Sequence, residues 1–497
     1  MKSCRVISRH QVYLAAFGIL LFLIIGQARG EIIESLAVKV DYDHSAPVNI
    51  KKYGTNGALL ASKIGYGDQQ LVNIYKQTSI VFTRFPGGSI GNYYNWKNGN
   101  FSCYRKPDDQ SQMRINRMNR ALATRGVTYK TDDFFDFIKN IGGDFIYMLN
   151  IMCDTPVNNA LLLRQMKNNN IALKYVEMAN EIYSSSYAWA YKDVSSYMDS
   201  VAENYMAIKR EHPNAKVGLV VSPLSFSSKN KPKKPGVPNS SWPKQLRQFD
   251  IASANSSMSD ALIIHLYAHP YLDESLFYQK KTYQEHYLSS IDQFNRNFKI
   301  SIDYLKLLGN NKPIWITEWG VTAPVDKRKG IFRKYKKNAY QALYMASALA
   351  SITTEKSIEL ANYHNASDLW FLTNSGPVVT PIGEVLSLFI QSAQNTDIVY
   401  NVQLSLGASG KSATGIKSVL FSSSEKQFLL IINEQDKVYR LDKLDTGKNE
   451  YKNSSFNSMY IENDVFKQSD TIEEKLNNIT GMVIDIKPYS VSIISLH

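Results

Sequence analysis

Two glutamates stand where a chain could place a pair of reacting carboxylates. Glu181 closes the run Lys-Tyr-Val-Glu-Met-Ala-Asn-Glu over 174–181, and Glu318 closes Lys-Pro-Ile-Trp-Ile-Thr-Glu over 312–318. Short apolar runs between helix-like stretches read as buried parallel strands, which puts each glutamate at a carboxyl end. In an α/β barrel that end is the face where reactive side chains gather from several strands. Two carboxyl groups converging there suit hydrolysis of a glycosidic bond, one as acid/base and the other as nucleophile or base. The plainer alternative is two ordinary surface carboxylates at strand ends; their shared context favours the first reading. A metal centre fits poorly, because His265, His269 and Asp260 lack a His-Glu-x-x-His frame.

The elements that must carry these residues follow from periodicity. Candidate strands are Tyr53–Gly57, Ser79–Arg84, Asp144–Asn150, Lys174–Asn180, Lys216–Ser222, Ala261–Tyr267, Pro313–Glu318 and Ile358–Tyr363. Helical stretches intervene, most clearly Asp132–Ile141, Val194–Glu211, Ser289–Leu308 and Ala339–Thr354. Eight strands with interleaved helices predict a (β/α)8 barrel over 51–394. An open doubly wound sheet is the rival, but no Gly-x-Gly-x-x-Gly turn follows the first strand. After Gln394 the pattern turns to short alternating segments separated by Gly, Asn, Asp and Ser clusters, which predicts a β-sandwich over 395–497. Residues 31–50 contain the strand-like Ser35–Tyr42, expected to join that sandwich from the other end of the chain.

The first 30 residues are of another kind. Lys2, Arg5 and Arg9 precede an apolar run from Val12 to Ile25 and then Ala28-Arg29-Gly30. This pattern predicts a signal peptide cleaved after Gly30, hence a secreted, periplasmic or lumenal protein with no membrane span after cleavage; an uncleaved anchor is the alternative. Losing four basic residues and no acidic one takes the net charge from +13 to +9. The densest basic stretch, Lys229 to Lys234, reads as a solvated loop or as a rim that attracts an acidic polysaccharide. Nucleic acid is a poor partner, since no recognition motif accompanies the charge. Cys103 and Cys153 lie just beyond neighbouring predicted strands, so one disulfide between them is conceivable.

Further short motifs carry a resemblance. Thr-Arg-Phe-Pro-Gly-Gly (83–88), Asn180-Glu181, His265-Leu-Tyr267, Glu318 and Val-Thr-Pro-Ile-Gly-Glu (379–384) occur in the order found in glycoside hydrolase clan A. They resemble its arabinofuranosidase-like and heparanase-like members. Ala179 stands where many of those relatives have Gly. The resemblance implies a retaining glycosidase with no cofactor and no metal, acting on an oligosaccharide or polysaccharide. Glu181 would then be acid/base and Glu318 nucleophile. Tyr267 would orient Glu318, Arg84 would favour its ionised form, and Asn180 would bind a sugar hydroxyl; His265 and Asn150 join them as candidate substrate contacts. Trp319, with Trp96, Tyr93 and Tyr94, offers a sugar platform, although most aromatics here must simply pack. Glu177 reads as a paired core carboxylate. A non-catalytic carbohydrate-binding or adhesin-like barrel and a transglycosylase using the same site remain the alternatives. The sugar, its linkage and endo or exo action stay open at this level.

Overall fold

The computed structural model of the chain describes residues 33–222 save 58, 128 and 192; 253–268; 283–321 save 310; and 337–497 save 446–452, 463–464, 470 and 475–482. The expected signal peptide over 1–30 and the Lys229–Lys234 stretch lie outside these residues, as does His269.

Eight parallel strands close on themselves. In chain order they are Gly54–Asn56, Phe82–Phe85, Asp144–Leu149, Tyr175–Met178, Lys216–Val220, Ala261–Ala268, Ile314–Val321 and Ile358–Tyr363. Each pairs with the next, and the eighth returns to the first through Asn362 opposite Gly54. The strands are buried along almost their whole length because the lumen fills one face and helices cover the other, so they read as continuous apolar runs.

Local chemistry sets the helix ends. Thr155 caps Pro156–Asn168 through Asn158 N, with proline at the first helical position where its missing N–H costs nothing. Asp193 and Ser196 form a reciprocal capping box at the start of Val194–Glu211. Gly142 ends Thr131–Ile141 at φ 63°, a left-handed conformation that glycine takes without strain. The helix Ala339–Thr354 is buried nearly all round, since the barrel lies on one side and a second sheet on the other.

That second sheet is built from both ends of the chain. Strand Glu34–Pro47 lies between Ile398–Leu406, antiparallel, and Tyr439–Asp445, parallel. Ile416–Ser422, Gln427–Asn433, Ser490–Leu496 and Ser454–Glu462 continue the sheet on one side. Alternation divides its two faces. Leu36, Val38, Leu420, Leu429, Ile431, Leu441 and Ile494 form an inner core of their own. Val419, Phe421, Leu430, Ile432 and Val491 face the other way and merge with the barrel core. Each such buried aliphatic or aromatic chain contributes roughly 1.5–3 kcal/mol, so the two domains are held by a shared apolar seam.

The sequence segment Met482–Leu496 proves to be two strands, Ile484–Ile486 and Ser490–Leu496. Pro488 cannot donate to a ladder and Tyr489 has φ 44°, which breaks the run. The polar helix Asp109–Arg125 and the hairpin of Trp370–Thr373 with Gly376–Val379 were not legible from periodicity.

Candidate active site

The fourth strand ends in a contorted turn. Ala179 and Glu181 have φ of 67° and 45°, so the chain leaves the strand geometry directly after Met178. Asn92 holds this turn from outside: its Oδ1 accepts from Asn180 N at 2.7 Å and its Nδ2 donates to Asn180 O at 2.7 Å. The left-handed backbone at Ala179 gives a physical reason for glycine to be favoured there. The side chains of Asn180 and Glu181 are thereby delivered to the carboxyl end of the barrel.

Arg84, from the second strand, forms the floor of the site and is fully buried. Its Nε and Nη2 donate to the two Glu177 oxygens at 2.6 and 2.7 Å, a bidentate fork. Nη1 donates to Glu318 Oε1 at 2.6 Å, and Nη2 also reaches Asn180 Oδ1 at 2.8 Å. One guanidinium thus neutralises a core carboxylate and orders a second one at the site.

Glu318 is buried, and Tyr267 donates its hydroxyl hydrogen to Oε2. Burial alone would raise its pKa. His265, His364 and Arg84 nearby, with the Tyr267 hydrogen bond, outweigh burial and hold the carboxyl well below the usual range. Tyr267 correspondingly keeps its proton, through burial first and then through Glu318. Glu318 is therefore an ionised acceptor whose two oxygens are both oriented.

Glu181 sits differently. Its side chain is 31% exposed, and its Oε1 lies 2.8 Å from His265 Nδ1. The other imidazole nitrogen, Nε2, lies 3.0 Å from Thr317 Oγ1, whose hydroxyl donates to Glu177 Oε1 at 3.3 Å. Thr317 must then accept from Nε2, which leaves a single proton to be held between Nδ1 and Glu181. Burial works against charge on His265, yet Glu318 and Glu181 prevail and its pKa is raised. One oxygen of each catalytic-candidate carboxylate and an imidazole nitrogen all lie within 4.8 Å of one another. That spacing would also admit a cation, but the Arg84 guanidinium already faces Glu318, so an added positive charge would meet repulsion.

The other sequence candidates divide. Asn180 is 1% exposed, and its Nδ2 has no partner among the described residues, so a donor stands ready beside the carboxylates. Asn150 does not join the site through its observed bonds: Nδ2 donates to Tyr94 O and Oδ1 accepts from Cys153 N, which ties loops together. Trp319 is a correction. Adjacent residues of a strand point to opposite faces, so with Glu318 directed to the site, Trp319 turns outward. It is fully buried against Tyr363 and Phe294, with ring centres 5.1 and 6.2 Å away, and cannot be a sugar platform there. Tyr93 and Tyr94 are likewise buried, bonded to Ser111 Oγ and Tyr129 O; Trp96 is half-buried with Lys97 over its ring. Asp260 accepts from Val217 N and pairs with Lys209.

Sequence reasoning missed His364, Asn56 and Tyr183. His364 follows the eighth strand, bonds to Asn56 Nδ2 through Nδ1 at 2.9 Å and meets the Tyr267 ring edge-on at 5.8 Å. Tyr183 is buried, and its phenol is held protonated by that burial and by Glu181 and Glu318. A polar residue at or just past the end of a barrel strand was the available signal for Asn56 and His364; Tyr183 lies five residues beyond Met178, where no such signal points to it.

The described residues thus form an eight-stranded parallel barrel with carboxylates at its carboxyl end, followed by a separate mixed β-sheet domain. No family model matches the chain, and no curated protein matches its sequence. Solved structures do share its fold. A family 51 alpha-L-arabinofuranosidase from Bifidobacterium longum aligns with a TM-score of 0.66 at 13% identity, covering 93% of this chain and 99% of that one. The GH51 arabinofuranosidase from Xanthomonas axonopodis pv. citri gives 0.65 at 12% identity, covering 93% and 100%. A Paenibacillus polymyxa xyloglucanase from glycoside hydrolase family 44 gives 0.59 at 13%, covering 93% and 99%. At these identities the likeness is one of fold.

Proposed function

We propose that the protein is a secreted glycoside hydrolase that works with retention, Glu318 attacking the sugar and Glu181 serving as acid/base. The observation that carries this reading is the contrast between the carboxylates. Glu318 is buried among groups that favour its ionised form, whereas Glu181 is 31% exposed with its Oε1 2.8 Å from His265 Nδ1. Their approach within 4.8 Å supports direct attack, because retaining enzymes hold the two groups roughly 5–5.5 Å apart and inverting ones leave room for a water between.

In the first step a lone pair of Glu318 forms a bond to the anomeric carbon as the bond to the leaving oxygen breaks, and Glu181 delivers its proton to that oxygen. In the second, Glu181 takes a proton from water, whose oxygen displaces Glu318. His265 suits the hand-over, since moving the shared proton from Nδ1 to Oε1 makes Glu181 an acid without bringing in a new proton. The free Nδ2 of Asn180 would bind the hydroxyl next to the reacting carbon. The leader over 1–30 and the disulfide between Cys103 and Cys153 support secretion, since disulfides persist in oxidising compartments. The activities of these neighbours, arabinofuranosidase and xyloglucanase, make arabinofuranosides and xyloglucan the first substrates to try.

Glu181→Ala is the discriminating experiment. Loss should be about 10²–10⁴-fold for substrates with poor leaving groups and much smaller for activated aryl glycosides, with azide restoring rate. Equal loss across leaving groups without azide rescue would make Glu181 a structural residue.

A further inference from the structure

The segment between the second and third strands holds a group of cations that the reaction above does not use. It follows the carboxyl end of the second strand and is tied by the Cys103–Cys153 disulfide to the loop that follows the third, so it lies at the catalytic end of the barrel. Its helix Asp109–Arg125 carries Arg114, Arg117, Arg120 and Arg125 against one acid, Asp109. Among the described residues, the arginines that form ion pairs are Arg84, Arg164, Arg210 and Arg440, and none of these four is among them.

Arg114 connects this helix to the site. Its Nη1 donates to Tyr187 Oη at 3.1 Å, and the guanidinium lies 5.8 Å from the centre of that ring. Tyr187 belongs to the turn that follows Glu181, and the Tyr93 ring packs 6.5 Å away. Burial pushes the Tyr187 phenol up to about 12, with Arg114 opposing and Glu181 adding to the shift, so the phenol lies within the electrostatic reach of both. From Arg114 the cations continue outward: Arg117 and Arg120 follow at three-residue steps, neighbours on the helix surface, and both are exposed. The row spans about 9 Å along the helix axis. Behind it Ser111, Ile115 and Met118 are buried, which fixes the helix face that presents the arginines.

We propose that Arg114, Arg117 and Arg120 form a subsite for the anionic groups of an acidic saccharide chain leading away from Glu181. A guanidinium left without a carboxylate partner offers a planar fork of donors that matches a carboxylate or a sulfate. Three such groups in a row suit a polymer that repeats its charge, and Tyr187 links the first of them to the turn that follows Glu181. The inference deepens the glycosidase reading by naming the substrate class, and it rests on that reading only for the position of the cleavage point.

Gel retardation of the full-length protein tests binding without requiring turnover. The probes are polygalacturonate, dextran sulfate and uncharged arabinan, each at low and high salt. The acidic polymers should retard the protein in a salt-dependent way. The Arg114→Gln/Arg117→Gln/Arg120→Gln variant should weaken acidic binding about tenfold relative to neutral binding, from three exposed or half-exposed pairs of modest strength. Arg117→Glu/Arg120→Glu, both at exposed positions, should weaken it further and guards against misfolding of the triple variant. Retardation by only one acidic polymer would identify carboxylate or sulfate as the recognised group. Retardation without salt dependence, or equal change for acidic and neutral polymers, would overturn the proposal. Absence of turnover on every glycoside would instead count against the catalytic reading and leave the binding result standing.

Discussion

Two regions of this molecule bury a cation, and they do so by opposite means. At the barrel floor Arg84 faces the carboxylates of Glu177 and Glu318, and these attractions outweigh burial so that its charge is secured. At the seam between barrel and sheet, Lys417 donates to Asn295 Oδ1, Ser347 O and Ser351 Oγ at 2.6, 2.9 and 2.9 Å, all neutral oxygens. Burial lowers its pKa to about 8, with Glu434 and Asp292 only partly opposing. Lys52 repeats the second solution at the end of helix Ala339–Thr354, donating to Thr353 O and Glu355 O, and it too is lowered to about 8. The carbonyl end of a helix supplies partial negative charge there, and the nearby Glu355 carboxylate adds to it without offsetting burial. Where the barrel needs a fixed charge next to the candidate catalytic carboxylate it uses a guanidinium, which does not lose its proton. Where a polar group merely fills a junction, an amine bonded to neutral oxygens suffices.

The largest effect that would sharpen this contrast is on turnover. Glu318→Gln removes the proposed nucleophile while leaving Arg84 its fork to Glu177, so aryl glycoside kcat should fall by about 10⁴-fold or more with little change in thermal midpoint. A mechanism-based fluoro-sugar should label the Glu318 peptide in the parent protein. An active Glu318→Gln variant would break the comparison at its first term.

Next in size, Arg84→Met leaves two buried carboxylates facing one another. Unfolding in urea should show a loss of about 3–5 kcal/mol, the usual cost of stranding one side of a buried ion pair. Glu318 should also titrate higher, so the acid limb of the pH–rate profile should move up. Because the Glu318 pKa is depressed in the folded parent, its stabilising contribution is present above pH 4.5 and lost as the pH falls further. An unchanged acid limb would show that Arg84 does not set the charge of Glu318.

The smallest effect belongs to the seam. The folded Lys417 pKa is about 8 against 10.5 unfolded, so between these values the unfolded chain holds more protons and stability rises with pH. Relative to Lys417→Met, the parent should gain about 1.4 kcal/mol per pH unit across that window, up to about 3 kcal/mol. Parallel pH curves for the two proteins would mean that Lys417 keeps its charge in water-like surroundings.

The barrel was legible in the sequence because its strands are covered on both faces and therefore uniformly apolar. Glu181, Glu318, Arg84, His265 and Tyr267 were legible because each ends such a run. Trp319 was misplaced by proximity to Glu318, when strand alternation already turned it outward. Asn150 also ends a strand, yet its amide is spent on Tyr94 and Cys153 backbone, and no local pattern reveals where a terminal side chain turns. The arginine-bearing helix escaped notice since only Ile115, Met118 and Leu122 mark its packed face, too few to set a period against so many polar residues.

The strand Glu34–Pro47 is made before the barrel, but both its neighbours in the sheet, Ile398–Leu406 and Tyr439–Asp445, are made only after it. Until they arrive, Leu36, Val38 and Val40 have no surface to cover them, and the loop to be closed contains the entire barrel. Sheet completion is therefore the final event that ties the ends of the chain together. A nascent chain halted before residue 398 would present an unpaired, apolar edge at Glu34–Pro47, the kind of surface that recruits a chaperone or another copy.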